Sequence, residues 1–383
     1  MHKKVKERHR YICSLLLFIF TLSLFVSYRV EALEISNPNT KNSTNKGITM
    51  SARCAIALDS KSKVVLYEKN AYELVPMAST TKIMTALVAL KYSDLDRKIE
   101  VSSKASSMRG SVVGLRKGEQ ISTKELIYGL MLRSGNDAAV AIAEGISGSV
   151  EEFAKLMNEY AGEIGVINTH FETPHGLDKD EHYSTAYDLA VVTAKAKENK
   201  LFNEIVSSKD VDGKTLGFTR SYHNINKILW QMPEATGVKT GYTGKAGKCL
   251  VSSANIQGND VIVVVLNCTE RWKESIKIFD YVNKNYEFKK MFLKGDSAGD
   301  ITLRRGNIKL QFEDDVVIPV KNGAEYTVKI IKPEKIDYTI NKGDKIGKVC
   351  IYADGELIYS NSLQSSDTFK VKQLPKWLKK IIK

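Results

Sequence analysis

Three short groups of residues in this 383-residue chain could do chemistry together. Ser79-Thr80-Thr81-Lys82 follows Pro76 and sets a hydroxyl and an amine three residues apart, on one face of a helix. A serine at a helix N-terminus sits in positive partial charge. A lysine can take its proton if burial or a nearby cation lowers the amine's pKa. Ser134-Gly135-Asn136, 55 residues after Ser79, offers a hydroxyl and an amide from a tight turn between two helices. Lys239-Thr240-Gly241, 160 residues after Ser79, reads as strand. Its cation and hydroxyl could grip a carboxylate, while the glycine lets substrate lie against the backbone. The chemistry that uses all three is acyl transfer through a serine nucleophile.

Each group is common by itself. Ser43 with Lys46 and Ser60 with Lys63 share the first spacing, but fall in a polar linker and a hairpin turn. Ser43 with Asn45 and Ser253 with Asn255 share the second, and an ordinary helix cap explains Ser134-Gly135-Asn136 equally well. Lys214-Thr215 resembles the third group without its glycine. One of each in this order, on helix, loop and strand, is the trio of penicillin-binding proteins and β-lactamases.

The positioning elements follow from periodicity. Ala52 to Leu58 and Val64 to Glu68 read as a hairpin, and Pro76 to Tyr92 as a helix with Ile83, Met84, Leu87, Val88 and Leu90 apolar. Further helices are expected over 124–133, 138–146, 150–164, 186–198 and 272–286, and three strands over 237–242, 248–254 and 261–267. Strands from both ends with helices between imply one α/β unit whose sheet joins the two ends. After about Lys290, short alternating segments divided by Gly, Asn and Pro predict a small all-β module.

Residues from about Ser51 to Tyr286 resemble the D-alanyl-D-alanine carboxypeptidases, low-molecular-mass penicillin-binding proteins. The resemblance rests on the runs Met77 to Ala86, Ser134 to Ala139, Pro174-His175-Gly176-Leu177, His182 to Ala186 and Lys239 to Thr243. It implies a β-lactamase/transpeptidase-like α/β fold, an antiparallel sheet with a helical cluster, followed by a small all-β C-terminal domain. It implies that Ser79 attacks the penultimate D-alanine carbonyl of a peptidoglycan stem pentapeptide, with Lys82 as base and Ser134 relaying a proton. Asn136 would hold the substrate backbone, Lys239 and Thr240 would recognise the terminal carboxylate, and Gly241 would leave room for the substrate. The N–H groups of Ser79 and Tyr242 would form the oxyanion hole, and β-lactams would acylate Ser79 covalently. No cofactor is implied. A β-lactamase on the same fold and a non-catalytic wall- or membrane-binding protein are the alternatives; intact Ser79, Lys82, Ser134 and Lys239 argue against the latter. Glu172 lies near the position of the deacylating glutamate of one β-lactamase class. Its surroundings lack that pattern, so it reads as a loop residue.

The ends speak of export. Lys3, Lys4, Lys6, Arg8 and Arg10 precede an apolar run from Tyr11 to Tyr28, and Val30-Glu31-Ala32 offers a cleavage site. The expected division is a signal peptide over 1–32, a polar linker over 33–48, the peptidase domain over 49–289, a β domain over 290–371 and a tail over 372–383. Removing residues 1–32 takes the formal charge from +13 to +9, which suits an anionic surface. In the tail, Leu374, Trp377, Leu378, Ile381 and Ile382 share one helical face, with Lys376, Lys379, Lys380 and Lys383 opposite. Such a helix can lie on an anionic membrane; a helix packed on the β module, or a frayed end, is the alternative. Nucleic acid is not an expected partner, because the chain is exported and its charge dispersed. The expected location is the outer face of the cytoplasmic membrane or the cell wall, and a Lys- and Ile-rich composition with few disulfide candidates points to a Gram-positive source. Cys54, Cys249, Cys268 and Cys350 form no CxxC pair. His170 and His175 read as loop packing, and no metal site is indicated.

Overall fold

A computed structural model describes residues 28–35, 48–303 and 306–370. The chain divides into two compact units: Ser43–Phe288 with Ile318–Asn322, and Lys289–Val317 with Gly323 onward and the N-terminal segment.

The first unit is built on a five-stranded antiparallel sheet. Its strands are β1 (Cys54–Asp59), β2 (Val65–Lys69), β3 (Ala235–Thr243), β4 (Gly247–Ile256) and β5 (Asn259–Leu266), in the order β2-β1-β5-β4-β3. The sheet therefore joins both ends of the unit. β5, a run of Val, Ile and Leu, is central and buried on both faces, as strands covered twice require. β3 is an edge strand, so among the described residues its outer main-chain edge has no strand partner.

The longer helices between the two ends are α1 (Lys82–Tyr92), α2 (Thr123–Leu132), α3 (Asn136–Ser147), α4 (Val150–Glu163), α5 (Ala186–Lys197), α6 (Lys200–Ser207) and, after β5, α7 (Arg271–Asn285). Short-side-chain caps start several of them. Ser122, Ser149, Thr185 and Asn199 each accept a first-turn backbone N–H. Every residue of α1 from Lys82 to Ala89 is buried, so this helix is the axis of the cluster. α6 is an element that periodicity alone did not resolve.

The start of α1 differs from expectation. Ala78–Thr81 is a 3₁₀ turn and the α-helix begins only at Lys82, because Ala78 takes a left-handed φ of +50° that interrupts helical register.

The second unit holds a six-stranded antiparallel sheet. Its order is Tyr28–Ile35, Tyr326–Pro333, Lys345–Ala353, Glu356–Ser365, Gly306–Phe312, Ser297–Leu303. Ile308, Leu310, Val328, Val349, Ile351 and Leu363 form its buried side. Tyr28–Ile35, which spans the end of the expected leader and the start of the expected linker, pairs antiparallel along Tyr326–Pro333. Residues 1–27 and 36–47 of the expected leader and linker, and the tail 372–383, lie outside the described residues.

Candidate active site

Three elements of the first unit bring the sequence-derived residues together. The 3₁₀ turn carries Ser79, the α2–α3 turn carries Ser134 and Asn136, and β3 carries Lys239, Thr240, Gly241 and Tyr242. Gly241 shows how close they come: a Cβ there would lie 3.0 Å from the Ser79 nitrogen and 3.1 Å from the Ala78 Cβ. Any side chain would push the strand off the turn.

Lys82 is the hub. Its Nζ lies 2.9 Å from Ser79 Oγ, 2.8 Å from Asn136 Oδ1 and 2.6 Å from the His175 carbonyl oxygen. Burial, and then the Lys239 charge, hold its pKa well below the usual lysine value, with Asp137 opposing. A neutral amine has two N–H bonds and one lone pair. The Asn136 amide oxygen and the His175 carbonyl only accept, so they take both N–H donors. Ser79 Oγ, at 2.9 Å, is the third group around the amine.

Asn136 is held from both ends of its amide, since Nδ2 donates to the Arg109 carbonyl at 2.7 Å. Ser134 sits beside it with a left-handed φ of +61° and is 3% exposed. Its hydroxyl makes no side-chain hydrogen bond among the described residues. Lys239 is buried, and burial followed by the Arg271 charge lowers its pKa to about 7; its Nζ donates to the Thr240 carbonyl at 3.0 Å. Tyr242 is 67% exposed at the open end of this row.

Four residues around the site have roles that the motifs did not announce. Asp137 is buried and its carboxylate accepts the N–H groups of Val113, Gly114 and Leu115, tying that loop over the α2–α3 turn. Its position directly after Asn136 was the available signal. His175 supplies a carbonyl to Lys82. His182 accepts the Glu172 N–H on Nδ1 and reaches Thr81 Oγ1 with Nε2 at 2.8 Å. Arg271, at the start of α7, donates from Nη1 to the Gly241 and Cys249 carbonyls at 2.6 and 3.0 Å. It carries no local sequence signal, because only the sheet brings it to β3. Glu172 is a half-buried loop residue whose carboxylate accepts the Glu181 N–H at 3.0 Å. Among the described residues no three His, Cys, Asp or Glu side chains converge as a metal site. Cys54, Cys249, Cys268 and Cys350 are buried free thiols.

Residues 39–270, more than half of the chain, match the D-alanyl-D-alanine carboxypeptidase family. The chain belongs to that family. A second match, residues 286–371, is to the C-terminal domain of penicillin-binding protein 5. This carboxypeptidase is 33% identical over 347 residues to the D-alanyl-D-alanine carboxypeptidase DacF of Bacillus subtilis, across 83% of this chain and 86% of that one. It is 33% identical over 318 residues to DacC of Escherichia coli, across 72% and 78% of the two chains. Its structure resembles penicillin-binding protein 5 of Haemophilus influenzae with a TM-score of 0.73 and 29% identity, covering 85% of this chain and 99% of the other. The carboxypeptidase is thus a serine hydrolase of the penicillin-binding protein fold, with peptidoglycan stem peptides as its family's substrates and β-lactams as its covalent ligands.

Proposed function

We propose that this carboxypeptidase removes the terminal D-alanine of stem pentapeptides with Ser79 as nucleophile and Lys82 as its base. The observation that carries the assignment is the Lys82 amine, buried between two pure acceptors with its remaining valence toward Ser79 Oγ at 2.9 Å. Lys82 takes the Ser79 proton as Oγ bonds to the penultimate D-alanine carbonyl carbon. The negative oxygen is received by the N–H groups of Ser79 and Tyr242. Collapse breaks the amide, and Ser134 passes a proton to the departing D-alanine nitrogen. Water then hydrolyses the acyl-serine by the same route.

The substrate chain pairs with the open edge of β3 and is held by Asn136. Lys239 and Thr240 receive the terminal carboxylate, assisted by Arg271, and Gly241 leaves the substrate room against the backbone. Export and attachment to the outer face of an anionic membrane are supported by the basic-apolar leader and the basic amphipathic tail. Among the described residues no helix is long and apolar enough to cross a membrane.

Intact mass spectrometry with penicillin tests the assignment. One lasting adduct, absent in Ser79→Ala, and release of D-alanine from a D-Ala-D-Ala peptide are expected. Intact penicillin with no adduct sinks the catalytic reading, and hydrolysed penicillin with no adduct makes the protein a β-lactamase.

A further inference from the structure

The peptide unit joining Ala78 to Ser79 is trans, so its carbonyl oxygen and its N–H point in opposite directions within one plane. Whatever holds the Ala78 oxygen therefore aims the Ser79 N–H. Ala78 has a left-handed φ of +50° despite its Cβ, at the first position of the Ala78–Thr81 3₁₀ turn.

The carbonyl end is also held by side chains. Thr81 Oγ1 lies 2.8 Å from the Ala78 oxygen and 2.8 Å from His182 Nε2. The direction of each bond is forced. His182 Nδ1 accepts the backbone N–H of Glu172 at 3.0 Å, so the neutral ring carries its proton on Nε2. Nε2–H donates to Thr81 Oγ1, and the single hydroxyl proton of Thr81 goes to the Ala78 oxygen, which can only accept. All of this is shielded from water: Thr81 is 0%, Ala78 1% and His182 3% exposed.

The two ends of the plane are also packed. On the carbonyl side, a Cβ on Gly176 would lie 2.0 Å from the Ala78 oxygen and 2.6 Å from Thr81 Oγ1, so the loop backbone presses on both. At the nitrogen end, a Cβ on Gly241 of β3 would lie 3.0 Å from the Ser79 nitrogen. The loop bearing His182 is itself fastened. His170 pairs with Tyr183, Ser184 pairs with Val75 just before the 3₁₀ turn, and the Phe171 ring meets His182 edge-on at 6.0 Å.

We propose that His182, acting through Thr81, is a positioning residue that aims the Ser79 N–H at the developing oxyanion. This rests on the reading of Ser79 as nucleophile and of its N–H as an oxyanion donor. Neither His182 nor Thr81 touches substrate in this scheme. They act on the direction of one N–H bond, and a preorganised donor stabilises the transition state only when it points at the oxyanion.

The test uses Thr81→Val, Thr81→Ser and His182→Gln proteins reacted with a penicillin labelled with ¹³C at the β-lactam carbonyl. Two quantities are read: the acylation rate constant of the active fraction, counted by adduct stoichiometry, and the acyl carbonyl stretch in the infrared. Thr81→Val and His182→Gln are expected to acylate roughly tenfold to a hundredfold more slowly, as displaced oxyanion donors do. Their carbonyl band moves to higher wavenumber because the ester loses a hydrogen bond. Thr81→Ser keeps the hydroxyl and restores both rate and band. A merely structural role lowers the active fraction and the melting temperature but leaves the band in place. An unshifted band in Thr81→Val and His182→Gln, or a shifted band that Thr81→Ser fails to restore, overturns the proposal. If the wild-type protein forms no acyl-serine, the nucleophile assignment itself has failed, a result separable from any behaviour of the variants.

Discussion

A lysine beside a serine is useful only while it is neutral, and a lysine beside a carboxylate only while it is charged. The two buried lysines of this site face those opposite demands. Burial lowers both, Lys82 well below its usual range and Lys239 to about 7. As pH rises, Lys82 loses its proton and acylation should climb. Above about 7, free Lys239 loses its charge and its hold on a carboxylate weakens. A bound carboxylate stabilises the cation, so the falling limb belongs to the free enzyme. We expect kcat/KM for a D-Ala-D-Ala peptide to fall above neutrality while kcat holds. Removing the neighbouring cation in Arg271→Gln should move that limb to higher pH. A limb at the same pH in both proteins would show that another group titrates. Ser79, Lys82, Ser134 and the Lys239 run could be named from residue type and spacing. Arg271 could not, because its side chain reaches Gly241 only through the pairing of β3 with β4.

At the scale of elements, the site is made by a turn, a second turn and a strand edge pressed together with no space for a side chain. Gly241 is where this is tightest, since its Cβ would meet the Ser79 and Thr80 nitrogens at 3.0 and 3.2 Å. Both are main-chain atoms that cannot swing aside. Gly241→Ala is therefore expected to fold but to separate β3 from the turn by a few tenths of an ångström. Acylation by penicillin should drop roughly tenfold to a hundredfold, the sensitivity expected of a misplaced reacting group. Near-normal acylation in a folded Gly241→Ala protein would mean the strand is not part of the reacting geometry. The glycine was legible in the sequence as a place for substrate to approach. Its contact with the backbone of Ser79 was not, nor was the 3₁₀ start of α1, since a left-handed alanine has no sequence signature.

For the whole molecule, the histidines of the 170–185 loop link the site to acid stability. Burial lowers His175 to about 3 and His182 to about 4, from a usual value of 6.5. Between 6.5 and those values the unfolded chain binds more protons than the folded one. Stability is therefore full above about 6.5 and is lost as pH falls toward 4. Urea midpoints of wild type and His182→Gln should lie furthest apart at neutral pH and converge in acid, since only the wild type must protonate His182 on unfolding. Parallel curves would refute the assignment. The tail is a separate whole-chain matter. Deleting residues 374–383 should abolish most binding to anionic vesicles, and the wild-type binding should weaken with salt. Binding unchanged by the deletion would place the membrane contact elsewhere.

The sequence by itself determined the chemistry and the broad architecture: a serine, a lysine, a second serine and a basic strand, in an order that few folds use, ahead of an all-β module. It could do so because nucleophile, base and carboxylate grip require particular side chains at particular steps of helix, turn and strand. Tertiary structure alone decided the burial that lowers the pKa of Lys82, the arrival of Arg271, and the hold of Thr81 and His182 at the Ala78 carbonyl. Those depend on burial and on contacts between residues tens to hundreds of positions apart. No local pattern records such distances, because they are set by how the sheet and the helices pack.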